Sequence, residues 1–182
     1  MCTYAKIAVF LVLTSSFLLS QVRHDPLTDN EITQLRDSAL DPYTRLKLYT
    51  EFARARLTAL EQVRTNPKIT DRAQKTHDHL QEFLDVYDEL DDNINNFDKR
   101  GDDLRKVLKL IIQADNEFRM QLHALHDSGA GNAEEFQQYE IVLADATDAV
   151  NSAAKDHRDL LAEQEEAAKH KKKSSQAAEP RE

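Results

Sequence analysis

Apolar residues along this chain recur in alternating steps of three and four, the spacing that stacks side chains on one face of an α-helix. The clearest run is Ala73, Thr76, Leu80, Phe83, Tyr87, Leu90, Ile94 and Phe97. The alternation continues through Gly101, Leu104, Leu108, Ile111, Asp115, Phe118, Leu122 and Leu125, and a third seam reads Phe136, Tyr139, Leu143, Ala146, Val150, Ala153, His157, Leu160 and Gln164. Seams of this period predict left-handed, coiled-coil-like packing. Upstream, Leu46, Tyr49, Phe52, Ala53, Leu57, Leu60 and Val63 make a broader stripe, which suits a central helix.

Capping chemistry sets the expected boundaries. Thr28 and Glu31 have capping-box spacing and open a short helix from Asp29 to Ala39. Asp41-Pro42 and Asn66-Pro67 each place a side-chain acceptor before a proline, whose fixed φ suits the first helical position, so each is expected to open a helix. The first of these runs from Pro42 to Arg64. Periodicity alone permits one uninterrupted helix from Pro67 to His126. The crowding of Asn95, Asn96, Asp98, Gly101, Asp102 and Asp103 favours a hairpin near Arg100 instead. Ser128-Gly129-Ala130-Gly131 makes the next turn, with Asn132 as the cap of a last helix. The expected fold is all-α: an elongated up-down helix bundle of four to five helices over residues 21–168, with coiled-coil-like seams. Residues 169–182, where the apolar pattern stops, read as a disordered charged tail.

Composition changes this picture in two ways. Three glycines and four prolines in 182 residues leave an all-β chain too few turns. A formal charge of -9 repels nucleic acid and anionic lipid at long range, so neither is an expected general partner. The N-terminus has its own character: Lys6 is followed by the apolar run Ile7 to Leu19, then Ser20 and Gln21. That order predicts a signal peptide over residues 1–20, cleaved after Ser20. The run is shorter than the roughly 20 residues a membrane-spanning helix needs, which argues against a stable membrane anchor.

Removing residues 1–20 takes away Lys6 and Cys2, leaving a charge of -10 and no cysteine. A cysteine-free exported chain fits the bacterial envelope, most simply the periplasm, better than a disulfide-stapled extracellular setting. Cys2 also precedes the apolar run, the wrong side for a lipid-modified cysteine.

Candidate chemistry is sparse. His123 and His126 share one helix face and would need Asp127 or a partner helix to complete a metal shell; a solvated helix end is the simpler reading. His77 and His79 point in different directions. Residues Asp91 to Asp102 place oxygen donors at several positions of a calcium loop, but Asn96 stands where that loop needs glycine and Asp102 where it needs Glu. An acidic helix end is expected there, and Asp85, Asp88, Glu89, Asp91 and Asp92 read as a solvated face. The sequence contains no Glu-x-x-His pair and no haem-binding Cys-x-x-Cys-His. No cofactor, metal site or catalytic residue is assigned, and the chain is read as non-enzymatic.

Asp115 and His157 are polar residues on apolar seams. Either they meet across a helix pair and pin its register, or Val107 and Ala114 shift the stripe and leave Asp115 at its edge. The second reading is preferred from periodicity. Lys169, Lys171, Lys172 and Lys173 form a basic cluster, offset by Glu163, Glu165 and Glu166.

Leu27-Thr28-Asp29-Asn30-Glu31 and Leu57-Thr58-Ala59-Leu60-Glu61 resemble the Leu-Thr-x-x-Gln motifs of small periplasmic helical stress chaperones of the Spy type. Both copies carry Glu in place of Gln, and the likeness covers ten residues. The resemblance implies a client-binding chaperone, an alternative to the main expectation. That expectation is an envelope interaction or scaffolding protein whose partner is another protein or a second copy, met through helix seams. A metal-binding bundle is the remaining alternative.

Overall fold

In a computed structural model of the chain, residues 26–129 and 131–177 are described; the expected signal peptide lies outside them. Six helices follow in order: α1 Asp29–Asp37, α2 Pro42–Thr65, α3 Arg72–Lys99, α4 Arg105–Gly129, α5 Ala133–Phe136 and α6 Glu140–Ala177. The described residues contain no strand, and α5 is a single turn, so the all-α bundle stands with five substantial helices.

Directions follow from side-chain pairs. Arg45 reaches Asn93 and Arg56 reaches Glu82, so α2 and α3 are antiparallel. His157 meets Asp115 and Gln164 meets Leu104, making α4 and α6 antiparallel as well. Arg54 with Glu117 and Arg64 with Ser128 set α2 parallel to α4; Asp91 with His157 and Asp98 with Gln164 set α3 parallel to α6.

Two hairpins therefore pack side by side, and the consecutive helices α3 and α4 lie diagonally across the core. Neighbouring axes at 8–10 Å put that diagonal at ~13 Å, within the roughly 17 Å reach of five extended residues. Residues 100–104 make the crossing. At the centre, Phe118 meets Phe83 and Tyr87 edge-on, with ring centroids 5.4 and 6.0 Å apart.

The expected hairpin is present. Gly101 has φ +80°, and the bonds Gly101 N–H to Asp98 O (2.7 Å) and Asp102 N–H to Phe97 O (3.1 Å) close the end of α3 as a Schellman turn. The free N–H of Leu104 at the start of α4 is met from another helix, by Gln164 Oε1 at 2.9 Å. Gln164 Nε2 donates to Asp98 Oδ1 and to the Asp102 carbonyl, so one α6 side chain ties down the whole crossing. The capping box at Thr28 and Glu31 forms, and Asp41 Oδ1 accepts from the N–H groups of Tyr43 and Thr44.

Three boundaries differ from expectation. Asn66 does not open a helix: it ends α2, and its side chain accepts from Lys68 N–H in a local turn. The β-branched pair Ile69-Thr70 disfavours helix there, and α3 starts at Arg72. Asn132 caps only α5, because the chain breaks again before Glu140. That break lets Phe136 lie against Gly129, where a Cβ would clash with the ring. Finally, α6 runs through Ala177, so residues 169–177 continue a helix where a disordered tail was expected. The Lys, Gln and Ala residues of this stretch are good helix formers, and Lys169 and His170 both pair back to Glu166.

From Leu80 to Phe97, from Leu104 to Leu125 and from Tyr139 to His157, every residue of the three seams is buried within one chain. A second copy is not needed to cover them. Substituting Gly101 with Ala should cost about 1–2 kcal/mol in urea unfolding, because the cost is backbone strain and no atom crowds the new Cβ. Gly131→Ala, at a position without positive φ, should stay within about 0.5 kcal/mol.

Candidate functional site

Asp115 is fully buried at the middle of α4, which corrects the expectation that it sits at the edge of the stripe. The reason is tertiary. α4 touches α2 and α6 as neighbours and α3 across the core, so its buried arc is wide enough to take both Ala114 and Asp115. Asp115 Oδ2 lies 2.9 Å from His157 Nδ1 on α6, and Asp115 Oδ1 accepts from the Tyr87 hydroxyl on α3 at 2.8 Å. His157 Nε2 faces Asp91 Oδ1 at 3.4 Å. Four polar side chains thus link three helices, and the chain emerges at Asp91, whose side chain is 40% exposed.

Both imidazole nitrogens of His157 face carboxylates, an arrangement that only the doubly protonated ring satisfies. Burial by itself would lower the His157 pKa; the hydrogen bonds and charges of Asp115 and Asp91 outweigh it and raise the value to about 9. Burial, followed by the charge of Asp115, pushes the Tyr87 hydroxyl well above its usual range. The ring of His157 is 2% exposed, which closes it to a substrate. The arrangement holds helices in register, and it meets solvent through Asp91.

A second polar cluster fastens α1. Arg56 grips Glu31 at 2.7 Å, bonds the Pro26 carbonyl and lies 3.6 Å from Glu82, which also meets His79. Burial would raise the Glu31 carboxyl, but Arg56 and the capping bonds of Thr28 hold it below the ordinary range. Arg45 bridges the Leu35 carbonyl, Asn93 and Tyr49. Arg54 reaches Glu117, Arg64 reaches Ser128 and Tyr139, and Arg72 reaches Glu135. None of these arginines was distinguishable in the sequence, since apart from Tyr49, four residues from Arg45, their partners lie ten or more residues away; only the capping role of Glu31 was.

The other sequence candidates lie apart. His123 and His126 are exposed, their ring centroids 6.5 Å apart, and both approach Asp127 at a solvated helix end. Among the described residues no group of three or more His, Cys, Asp or Glu side chains is placed to hold a metal ion. Asp91 to Lys99 are helical, which rules out a calcium loop. Of the two Leu-Thr motifs, the first serves as the α1 cap. Of the second, Leu57, Thr58, Leu60 and Glu61 line a groove of about 600 Å³ between α2 and α4, together with Leu122 and Leu125.

Two outcomes test the buried network. Unfolded histidine releases its proton near pH 6.5 and folded His157 near 9, so the stabilisation is complete below about 6.5 and is lost as pH rises through 9. The loss should be on the order of 3 kcal/mol in denaturant titrations. Asp115→Asn strands the imidazolium and should cost about 3–5 kcal/mol at pH 6. The cost should be smaller at pH 9.5, and a pH-independent deficit would contradict an ionised pair. No protein-family model, curated protein or solved structure matches this chain.

Proposed function

We propose that the chain is an exported, non-enzymatic bundle of the bacterial envelope that works by contact between its outer helix faces and another macromolecule. The observation that carries this reading is the length of α6. At Gln164 this helix is level with the crossing between α3 and α4, and it continues to Ala177. Its last 13 residues therefore project about 20 Å past the bundle at 1.5 Å per residue. A projecting helix of this kind costs little to build and reaches a partner without opening the core. The seams face inward, so the partner meets polar outer faces.

A second reading is favoured by one observation. The Leu57 to Glu61 motif lines the α2–α4 groove, whose floor is leucine and whose rim is polar, and such a groove suits an apolar segment of an unfolded client.

Photo-cross-linkers placed at residues 166 and 170 in bacterial cells should trap a discrete species, while cross-linkers at residues 85 and 89 on α3 should not. Equal labelling from both sites would overturn the proposal. The product recovered from the envelope should begin at Gln21, and an intact N-terminus in the cytosol would contradict export. If the groove takes clients, residues 21–182 should suppress aggregation of an unfolding protein at near-stoichiometric ratio, and Thr58→Arg, at the exposed rim of the groove, should weaken this while leaving α6 cross-linking unchanged.

A further inference from the structure

We propose that the end of the bundle carrying the α3–α4 crossing and the projecting part of α6 docks on an anionic lipid bilayer surface. The inference deepens the reading of an envelope protein that works through its outer faces, and it rests on that reading.

The fold gathers there what the sequence scatters. Residues 99–109 carry five lysine or arginine side chains and two carboxylates; residues 163–173 carry four lysines and three carboxylates. This region is positive by four in a chain whose formal charge is -9. The two segments are neighbours: Lys109 pairs with Glu165 at 2.7 Å, and Gln164 accepts from the Leu104 N–H; Arg105, with a smaller contribution from Lys171, holds the Asp103 carboxyl down. Because α6 is helical through this stretch, the lysine cluster is held on a projecting rod and not on a coil.

An apolar element sits at the same end. The Lys106 ammonium lies 4.5 Å over the Tyr43 ring, placing the start of α2 beside the start of α4. Three residues before Tyr43, at the α1–α2 turn, Leu40 is 89% exposed, the most exposed large apolar side chain among the described residues. A short apolar contact beside a cluster of cations is the pairing that reversible attachment to an anionic membrane requires.

The net negative charge does not forbid this. Exposed charges are screened over about 8 Å at physiological ionic strength. The acidic residues 85–92 of α3 lie roughly 10–20 Å along the helix from Lys99 at the standard rise. A bilayer lying obliquely against the crossing and the side of the projecting part of α6 meets this basic region together with Asp37 and Asp41, which flank Leu40, and an excess of cations remains. A long polyanion such as duplex nucleic acid would also run along the acidic flank, which is why lipid is the favoured occupant.

The test uses residues 21–182, which hold every described core residue, with sedimentation on vesicles of neutral phosphatidylcholine or of a mixture with 30% phosphatidylglycerol as the probe. Binding should be roughly tenfold or more stronger to the anionic vesicles at 0.1 M salt. It should fall by at least that factor in a Lys171→Gln, Lys172→Gln, Lys173→Gln variant, and vanish near 0.5 M salt. The variant should keep its helical circular dichroism, since these residues lie outside the core. Lys68→Gln with Lys75→Gln, at the opposite end, should change nothing. Equal binding to neutral and anionic vesicles, no binding, or unchanged binding in the triple variant would overturn the inference. So would tighter retention on duplex DNA than on anionic vesicles. Failure here with α6 cross-linking intact would sink lipid docking and leave the outer-face reading standing.

Discussion

An ionised carboxylate placed among leucine and phenylalanine side chains loses several kcal/mol of hydration, and the surrounding structure must return it. Asp115 imposes that demand at the centre of this bundle. His157 answers it from α6 and Tyr87 from α3, each at hydrogen-bond distance, while Asp91 takes the second face of the imidazole. Hydrophobic packing tolerates small slides between helices, because one methylene replaces another at little cost. A slide by one turn at Asp115 would strand a charge. The polar chain therefore selects one register among many that leucines alone would accept.

The same demand explains the peculiar connection of the bundle. Consecutive helices joined by a short turn usually become neighbours, yet α3 and α4 face each other across the core. The diagonal brings Tyr87 to Asp115 and stacks Phe83, Tyr87 and Phe118 around them. It also leaves backbone groups of residues 100–104 needing partners, and Gln164 supplies them from α6. Elsewhere arginines play this part: Arg45 and Arg56 on α2 each reach across to α1 and α3, fixing the small helix by charge-assisted bonds where its apolar area is slight.

Asp115 is satisfied by His157 and Tyr87, while His157 Nε2 has only the 3.4 Å approach of Asp91 and Thr76 Oγ1 has no hydrogen-bond partner; the proposed contacts lie on the basic end with the projecting part of α6 and on the groove between α2 and α4. The first is cationic and the second is floored by leucine, so the lipid docking and the client binding proposed above would use different residues.

Much of this architecture was legible in the sequence. Alternating spacings marked the buried faces of α3, α4 and α6, Thr28 and Asp41 marked two helix starts, and Gly101 marked the hairpin, because capping, turn formation and amphipathicity depend on residues within a turn or two of one another. Asn66-Pro67 misled because a cap and a proline permit a helix start without compelling one, and Ile69-Thr70 decided otherwise. The fate of Asp115 was closed to periodicity, which measures angle around one helix and not how many helices surround it. Residue identity and local spacing alone determined the all-α class and the identity of the apolar seams, and they gave four to five helices where six are found among the described residues. Only the tertiary structure decided the diagonal pairing, the Asp115–His157 contact, the arginine ties and the gathering of lysines at one end, since each joins residues that nothing but the packing of distant helices brings together.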